Sequence, residues 1–120
     1  LVFMHMARIT YYKIYRAPRE LHWLSGVVLL LLTLFTALTG YLLPWTNLSY
    51  WGASVATEIP SAVPVVGEQI SIWARRGPNI SGETLGFFFA MHVWILPATA
   101  VLFMGMHFVM IRRTGISKPL

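Results

Sequence analysis

The sequence predicts an all-α transmembrane helical bundle, and three observations carry that reading. Only 11% of the 120 residues are charged while 57% are hydrophobic, against the roughly one quarter of charged residues usual in soluble domains. Two apolar stretches, about Leu24 to Leu43 and about Leu85 to Ile111, each supply the about 20 residues that a bilayer crossing takes. His92 and His107 stand fifteen residues apart inside the second stretch. Histidine within a bilayer generally has an interior partner, a proton path or a metal to account for it.

Taken in order, residues 1–9 read as the last turns of a transmembrane helix whose front is missing, since the chain opens on Leu1-Val2-Phe3 without an initiator methionine. We therefore expect a fragment or a processed piece. Residues 24–43 form the first full span, free of charge throughout. Residues 46–76 are too apolar for a slack connector, and two short surface helices are expected there. The first covers about Ser49 to Thr57, flanked by Pro44 and Pro60. The second covers about Val65 to Arg76, with Pro64 at its first position and Gly77-Pro78 as its stop. Tyr50, Trp51 and Trp73 suit the aromatic belt of a membrane interface. Residues 85–111 form the last span, and Pro97 within it predicts a kink that membrane neighbours can satisfy.

Charge placement orients the spans. The first link holds Arg8, Lys13, Arg16 and Arg19 against Glu20, and the tail holds Arg112, Arg113 and Lys118, a net of +3 in each. The intervening loop sets Arg75 and Arg76 against Glu58, Glu68 and Glu83, a net of −1. The positive-inside rule then puts the first link and the tail on the cytoplasmic-type face and the loop opposite. The basic balance is accounted for by topology and implies no nucleic acid. Absence of cysteine excludes disulfides, thiolate metal sites and covalent haem attachment within this stretch, so imidazole is the strongest metal ligand left.

A helix turns about 100° and rises about 1.5 Å per residue, so fifteen residues return to within roughly 60° of one face, roughly 22 Å along. His92 and His107 would thus face one way at two depths, as stacked haems require. His107 and His5 both lie close before basic residues, at similar depth, and could clamp one iron. His92 lies nearer the opposite loop, and its partner would come from about fourteen residues before His5. His22, beside Trp23 at the basic interface, needs no ligand to explain it. Gly26 and Gly40, fourteen residues apart on the intervening helix, remove side chains that would block close approach. Arg8 and Arg19 are candidates to pair with haem propionates.

Several segments resemble the cytochrome b family: Gly40-Tyr41-Leu42-Leu43-Pro44-Trp45, Ser49-Tyr50-Trp51-Gly52-Ala53, Ala62-Val63-Pro64-Val65-Val66-Gly67, and His107 through Arg113 to Gly115-Ile116-Ser117. The likeness covers essentially the whole chain, from the second half of the family's helix B through helices C and D, and residues 1–120 read as part of its N-terminal haem-binding domain. The fifteen-residue histidine interval and the ending at Leu120 are more similar to the b6 form than to the mitochondrial type, whose interval is one residue shorter.

The resemblance implies a haem-binding four-helix cytochrome b fold, here cut to part of helix B, helices C and D and two surface helices. It implies His5 and His107 as axial ligands of one haem b and His92 as half of the pair for another. The complete protein would carry two haems b, one fully ligated within this stretch; an additional inner haem would be held by a cysteine upstream of residue 1. Gly26 and Gly40 correspond to haem-packing glycines, Arg8 and Arg19 to propionate partners, and Gly52 to the wall of a quinol pocket. The implied function is that of the core subunit of a quinol–cytochrome c or plastocyanin reductase in respiratory or photosynthetic electron transport. Electrons would cross the membrane from a quinol oxidation site to a quinone reduction site. The expected partners are a Rieske iron–sulfur protein, a c-type cytochrome, a subunit IV-like C-terminal half and membrane quinol, within a dimeric complex of a bacterial plasma membrane or a thylakoid.

This chain departs from the family pattern in two respects. The Pro-Glu-Trp-Tyr segment that supplies a quinol-site carboxylate is absent, so quinol oxidation is not complete within the chain, and Thr46-Asn47 stands where many b6 forms carry an acidic residue. The alternatives are a bis-histidine cytochrome b anchoring a dehydrogenase or hydrogenase, and a haemless membrane scaffold. Two surface helices of this composition favour the reductase over the anchor.

Overall fold

A computed structural model describes residues 1–116; Lys118 and the Ser117 to Leu120 ending lie outside the described residues. The elements are α1 (Val2–Tyr11), α2 (Glu20–Leu42), α3 (Asn47–Glu58), a 3-10 turn (Ile59–Ala62), α4 (Gly67–Arg75), α5 (Gly82–Ala90), a π turn (Met91–Ile95) and α6 (Leu96–Thr114). No strand occurs among the described residues. The fold is all-helical.

Two runs are long and apolar enough to cross a membrane, Glu20–Leu42 at a mean hydropathy of 2.0 and Gly82–Thr114 at 1.9. Only 6% and 11% of their most apolar windows are buried. A core helix of a soluble protein would bury most of such a surface; these leave it exposed, as membrane spans do. The 23 residues of α2 reach about 34 Å, enough for a hydrocarbon core of about 30 Å. Glu20 occupies the first turn of α2 and Arg112 with Arg113 the last turn of α6, charges that complement the helix dipoles at those ends. The span edges fall at Glu20 and Thr114, a few residues outside the apolar stretches read from sequence.

Pro97 acts one turn ahead of itself. It has no N–H to give the carbonyl four residues back. The chain just before it slips into the wider π register, in which the Leu96 N–H donates to the Met91 carbonyl. His92 sits on this π turn.

By their contacts the residues form two compact units, Leu1–Thr33 with the chain from Ala98 onward, and Leu34–Pro97. The second unit has a packed core of Leu42, Ala53, Ile80 and Phe88, buttressed by Leu43, Tyr50, Leu85 and Phe87. Its helix starts are capped reciprocally, Thr46 with Ser49 at α3 and Ser81 with Thr84 at α5. Arg75 fastens α4 to α3. Its Nε donates to Thr57 Oγ1 at 2.8 Å, its Nη2 donates to the Ser54 carbonyl at 2.9 Å and pairs with Glu58 at 2.5 Å, and its own carbonyl accepts from the Thr84 hydroxyl. The Ser61 hydroxyl and then the Arg75 guanidinium hold the Glu58 carboxyl below the usual carboxylate range.

Two details of this loop depart from expectation. The fourth helix starts at Gly67 with Val66 as its cap, not at Pro64, whose carbonyl instead accepts from the Val66 N–H in a tight turn. Arg76, not Gly77, takes the left-handed position that ends α4, at φ 62°. Its guanidinium lies 4.8 Å from the centre of the Phe87 ring, a cation–π contact that offsets the backbone cost.

The first unit holds α1, the start of α2 and α6 from Ala98 onward. Every buried hydrophobic side chain among the described residues lies in the other unit; here the buried side chain is Ser25, 4% exposed. Arg19 donates to the Gly115 carbonyl at 3.2 Å.

Candidate functional site

Each unit contains one histidine held against α2 in the same manner. In the second unit, His92 Nδ1 lies 2.9 Å from the Thr36 carbonyl and 3.1 Å from Thr39 Oγ1. A carbonyl only accepts, and the Thr39 hydroxyl already donates to the Phe35 carbonyl at 2.9 Å. The proton therefore sits on Nδ1, and Nε2 carries the lone pair. In the first unit, Ser25 Oγ donates to the His22 carbonyl at 2.7 Å. It must then accept from His107 Nδ1, 2.8 Å away, so His107 likewise presents a basic Nε2. Donation of the far ring N–H to a fixed acceptor is how metal-binding histidines are oriented and made more basic.

The glycines admit these rings. A Cβ added at Gly40 would stand 2.6 Å from His92 Cε1, and one at Gly26 would stand 3.3 Å from His107 Cε1. The space left by both glycines is thus filled by an imidazole edge. Gly52 packs against the Tyr41 ring, which a Cβ there would strike.

His107 borders a cavity of about 390 Å³ whose wall includes His5, His22, Gly26, Arg19 and Met104. Four of the residues singled out from sequence, His5, His107, Gly26 and Arg19, thus meet at one cavity. Arg8 is not in its wall. His22 corrects its sequence reading: its Nε2 lies 3.2 Å from His107 Nε2, with ring centroids 4.3 Å apart, so it has a specific partner inside the cavity. A spacing of 3.2 Å is too short for two imidazoles on opposite sides of one iron, whose bonds of about 2 Å each call for about 4 Å. His5 is the third imidazole of the cavity wall.

Among the described residues no cluster of three or more His, Cys, Asp or Glu could hold a metal. The residues present would fit a group that brings most of its own ligands and asks the protein for an imidazole: His92 and His107 each keep a basic Nε2 while Nδ1 is tied to α2.

Sequence reasoning missed Ser25, Thr36 and Thr39. The signal was present: Ser25-Gly26 and Thr39-Gly40 repeat a hydroxyl residue before glycine at the same fourteen-residue interval.

The sequence profile of the family described as cytochrome b(N-terminal)/b6/petB matches residues 1–120. Cytochrome b6 of Heliomicrobium gestii is 46% identical over 120 residues, all of this chain and 56% of that protein. Cytochrome b6 of Heliobacterium modesticaldum is 44% identical over the same coverage. Cytochrome b6 of Gloeobacter violaceus is 44% identical over 117 residues, 98% of this chain and 54% of that protein. The chain spans little more than half the length of these relatives. With two lipid-facing spans, oriented imidazoles on both units and full coverage by the family profile, this integral membrane chain belongs to the cytochrome b N-terminal/b6 family.

Proposed function

We propose that this chain is the haem b-carrying part of the core subunit of a quinol–cytochrome c or plastocyanin reductase, moving electrons across the membrane from a quinol oxidation site to a quinone reduction site. The observation that carries it is the pair of histidines, His92 and His107, each with Nδ1 tied to α2, Nε2 basic, and its ring seated on a glycine. When bound, haem supplies one-electron chemistry at iron. The protein's part is ligation, orientation and charge. His107 and His5 would hold the group in the cavity of the first unit, with Gly26 giving room and Arg19 supplying a cation for a propionate. His92 would hold the second group, with its other ligand from outside residues 1–120.

The loop supports the reductase reading over a simple membrane anchor. Its helices α3 and α4 are fixed to each other by Arg75, and they leave Trp51 and Trp73 62% and 59% exposed, as an interfacial platform beside a quinol pocket requires. We assign Gly52 to the wall of that pocket. The partners would be a Rieske protein, a c-type cytochrome and a subunit IV-like half, within a dimeric complex of a bacterial plasma membrane or thylakoid. A reduced-minus-oxidised spectrum of the full-length protein tests this reading. Two b-type haems per chain are expected, with quinol-dependent reduction of a c-type cytochrome by the complex. A spectrum without a b-type α band would leave only the scaffold.

A further inference from the structure

His22 is the imidazole of the cavity that the proposed ligation leaves without a task. Since His107 Nδ1 gives its hydrogen to the Ser25 hydroxyl, the lone pair on His107 Nε2 faces His22 Nε2 across 3.2 Å. Two lone pairs repel at that distance, so His22 Nε2 carries hydrogen and donates it. Its place on α2 is equally defined. The Trp23 N–H donates to the Arg19 carbonyl at 2.9 Å, which carries the helical register back to Arg19, just ahead of the start of α2 at Glu20. Arg19, His22 and Gly26 then follow one another at intervals of three and four residues, along a single helix face, and all three border the cavity. This face is graded. Gly26 leaves bare backbone further into the span, and His22 and Arg19 bring N–H donors towards its charged end. Among the described residues no aspartate or glutamate lines the cavity.

Accordingly, we propose that His22 is a binding residue for the haem held through His107, donating an imidazole N–H to a propionate carboxylate together with Arg19. This rests on the proposed haem ligation by His107. With the lone pair of His107 Nε2 given to iron, the His22 N–H loses its acceptor there, and a part-buried donor left without one is costly. Pyrrole nitrogens committed to iron accept nothing, and the wall supplies no carboxylate of its own. The propionates are the acceptors that the bound group brings. Their charge belongs at the polar end of the span, because a carboxylate is costly to bury unpaired, and that end is where His22 and Arg19 stand. Arg19 uses one Nη2 hydrogen bond on the Gly115 carbonyl at 3.2 Å and keeps the other donors of its fork. Two donors one turn apart can then hold the carboxylate by charge-assisted hydrogen bonds. The donation asks no change of charge on His22.

The test is resonance Raman spectroscopy of the full-length protein in its complex, following the propionate bending bands; those missing from His107→Ala mark the haem in question. His22→Leu removes the donor and should shift the propionate band of that haem to lower frequency, as a less strongly hydrogen-bonded carboxylate shows, with the other haem unmoved. His22→Gln keeps an N–H of similar reach and should return the band to its wild-type place, which a packing role for the ring would not give. If His22→Leu loses its haem, His22→Asn, with a shorter amide, should keep it and give a partial shift. Bands unmoved in His22→Leu or His22→Asn with the haem present, an equal shift at both haems, or the same shift in His22→Gln as in His22→Leu would overturn the proposal and leave ligation by His107 intact. Loss of the haem from His22→Gln as well would assign His22 to folding and overturn it too. Absence of b-type haem from the wild-type protein would sink the haem reading itself.

Discussion

The two units solve the same problem with different material. Leu34–Pro97 is closed on itself by Leu42, Ala53, Ile80 and Phe88 and by the Arg75 hydrogen bonds. The unit of Leu1–Thr33 and the chain from Ala98 onward has no buried hydrophobic side chain among its described residues, and encloses instead a cavity lined by three imidazoles and an arginine. One unit has a packed core of its own; the other leaves a cavity open between its helices. Apolar core packing supplies stability in proportion to area removed from water, so a region that forgoes it must gain its order from ligation, from lipid contact or from partners.

Changes at the histidines and glycines of either unit should alter what the protein carries, and changes at the Arg75 contacts should alter how the loop holds together. His107→Ala in the full-length protein should remove one of two b haems and leave the other, because the ligands are separate; a pyridine haemochromogen assay of haem per chain measures this. Equal loss of both would mean that the change acted through folding. Next, Gly40→Ala should disturb its histidine more than Gly26→Ala, since the added carbon would lie 2.6 Å from an imidazole carbon in one case and 3.3 Å in the other. Overpacking of this kind costs about 1–3 kcal/mol, and thermal loss of the α band should be earlier in Gly40→Ala. An equal effect would show that the rings are free to step aside.

Smaller effects are expected in the loop. Arg75→Met removes the guanidinium hydrogen bonds to Thr57 Oγ1 and the Ser54 carbonyl, at about 1.5–3 kcal/mol for bonds to a charged group. Amide exchange should quicken across α3 and α4 while haem content stays unchanged. The smallest is a pH effect. The carboxyl of Glu58 titrates lower in the folded protein than in the unfolded chain. Its contribution is fully present above the ordinary carboxylate pKa and is lost as pH falls through the lowered value. Glu58→Gln should flatten that acid dependence of amide exchange in the loop, and leave exchange at neutral pH only slightly faster because the pair is exposed to solvent.

Much of this was legible in sequence for a physical reason. Uncharged runs of about 20 residues have few fates other than a bilayer, and histidines fifteen apart with glycines fourteen apart report the period of a helix. Pro97 was readable as a disturbance, though not as the π turn that carries His92. Proline removes a donor wherever it stands, and only the neighbouring turns decide how the register absorbs the loss. Gly77 was read as the end of α4, and Arg76 takes that position because Phe87, eleven residues on, offers its ring. No local rule contains that contact.

His22 marks the same boundary. Beside a tryptophan at a basic interface it reads as an ordinary interfacial residue, and in the fold it faces the nitrogen of His107 from 85 residues away. Composition and periodicity by themselves determined that the chain is helical and that it crosses a membrane, because these follow from burial cost and helical geometry along a single segment. Which nitrogen each imidazole presents, what Ser25 and Thr39 accept, and that Arg75 ties α4 to α3 were decided only in three dimensions. Hydrogen bonds between distant residues depend on distances and angles that no one-dimensional pattern encodes.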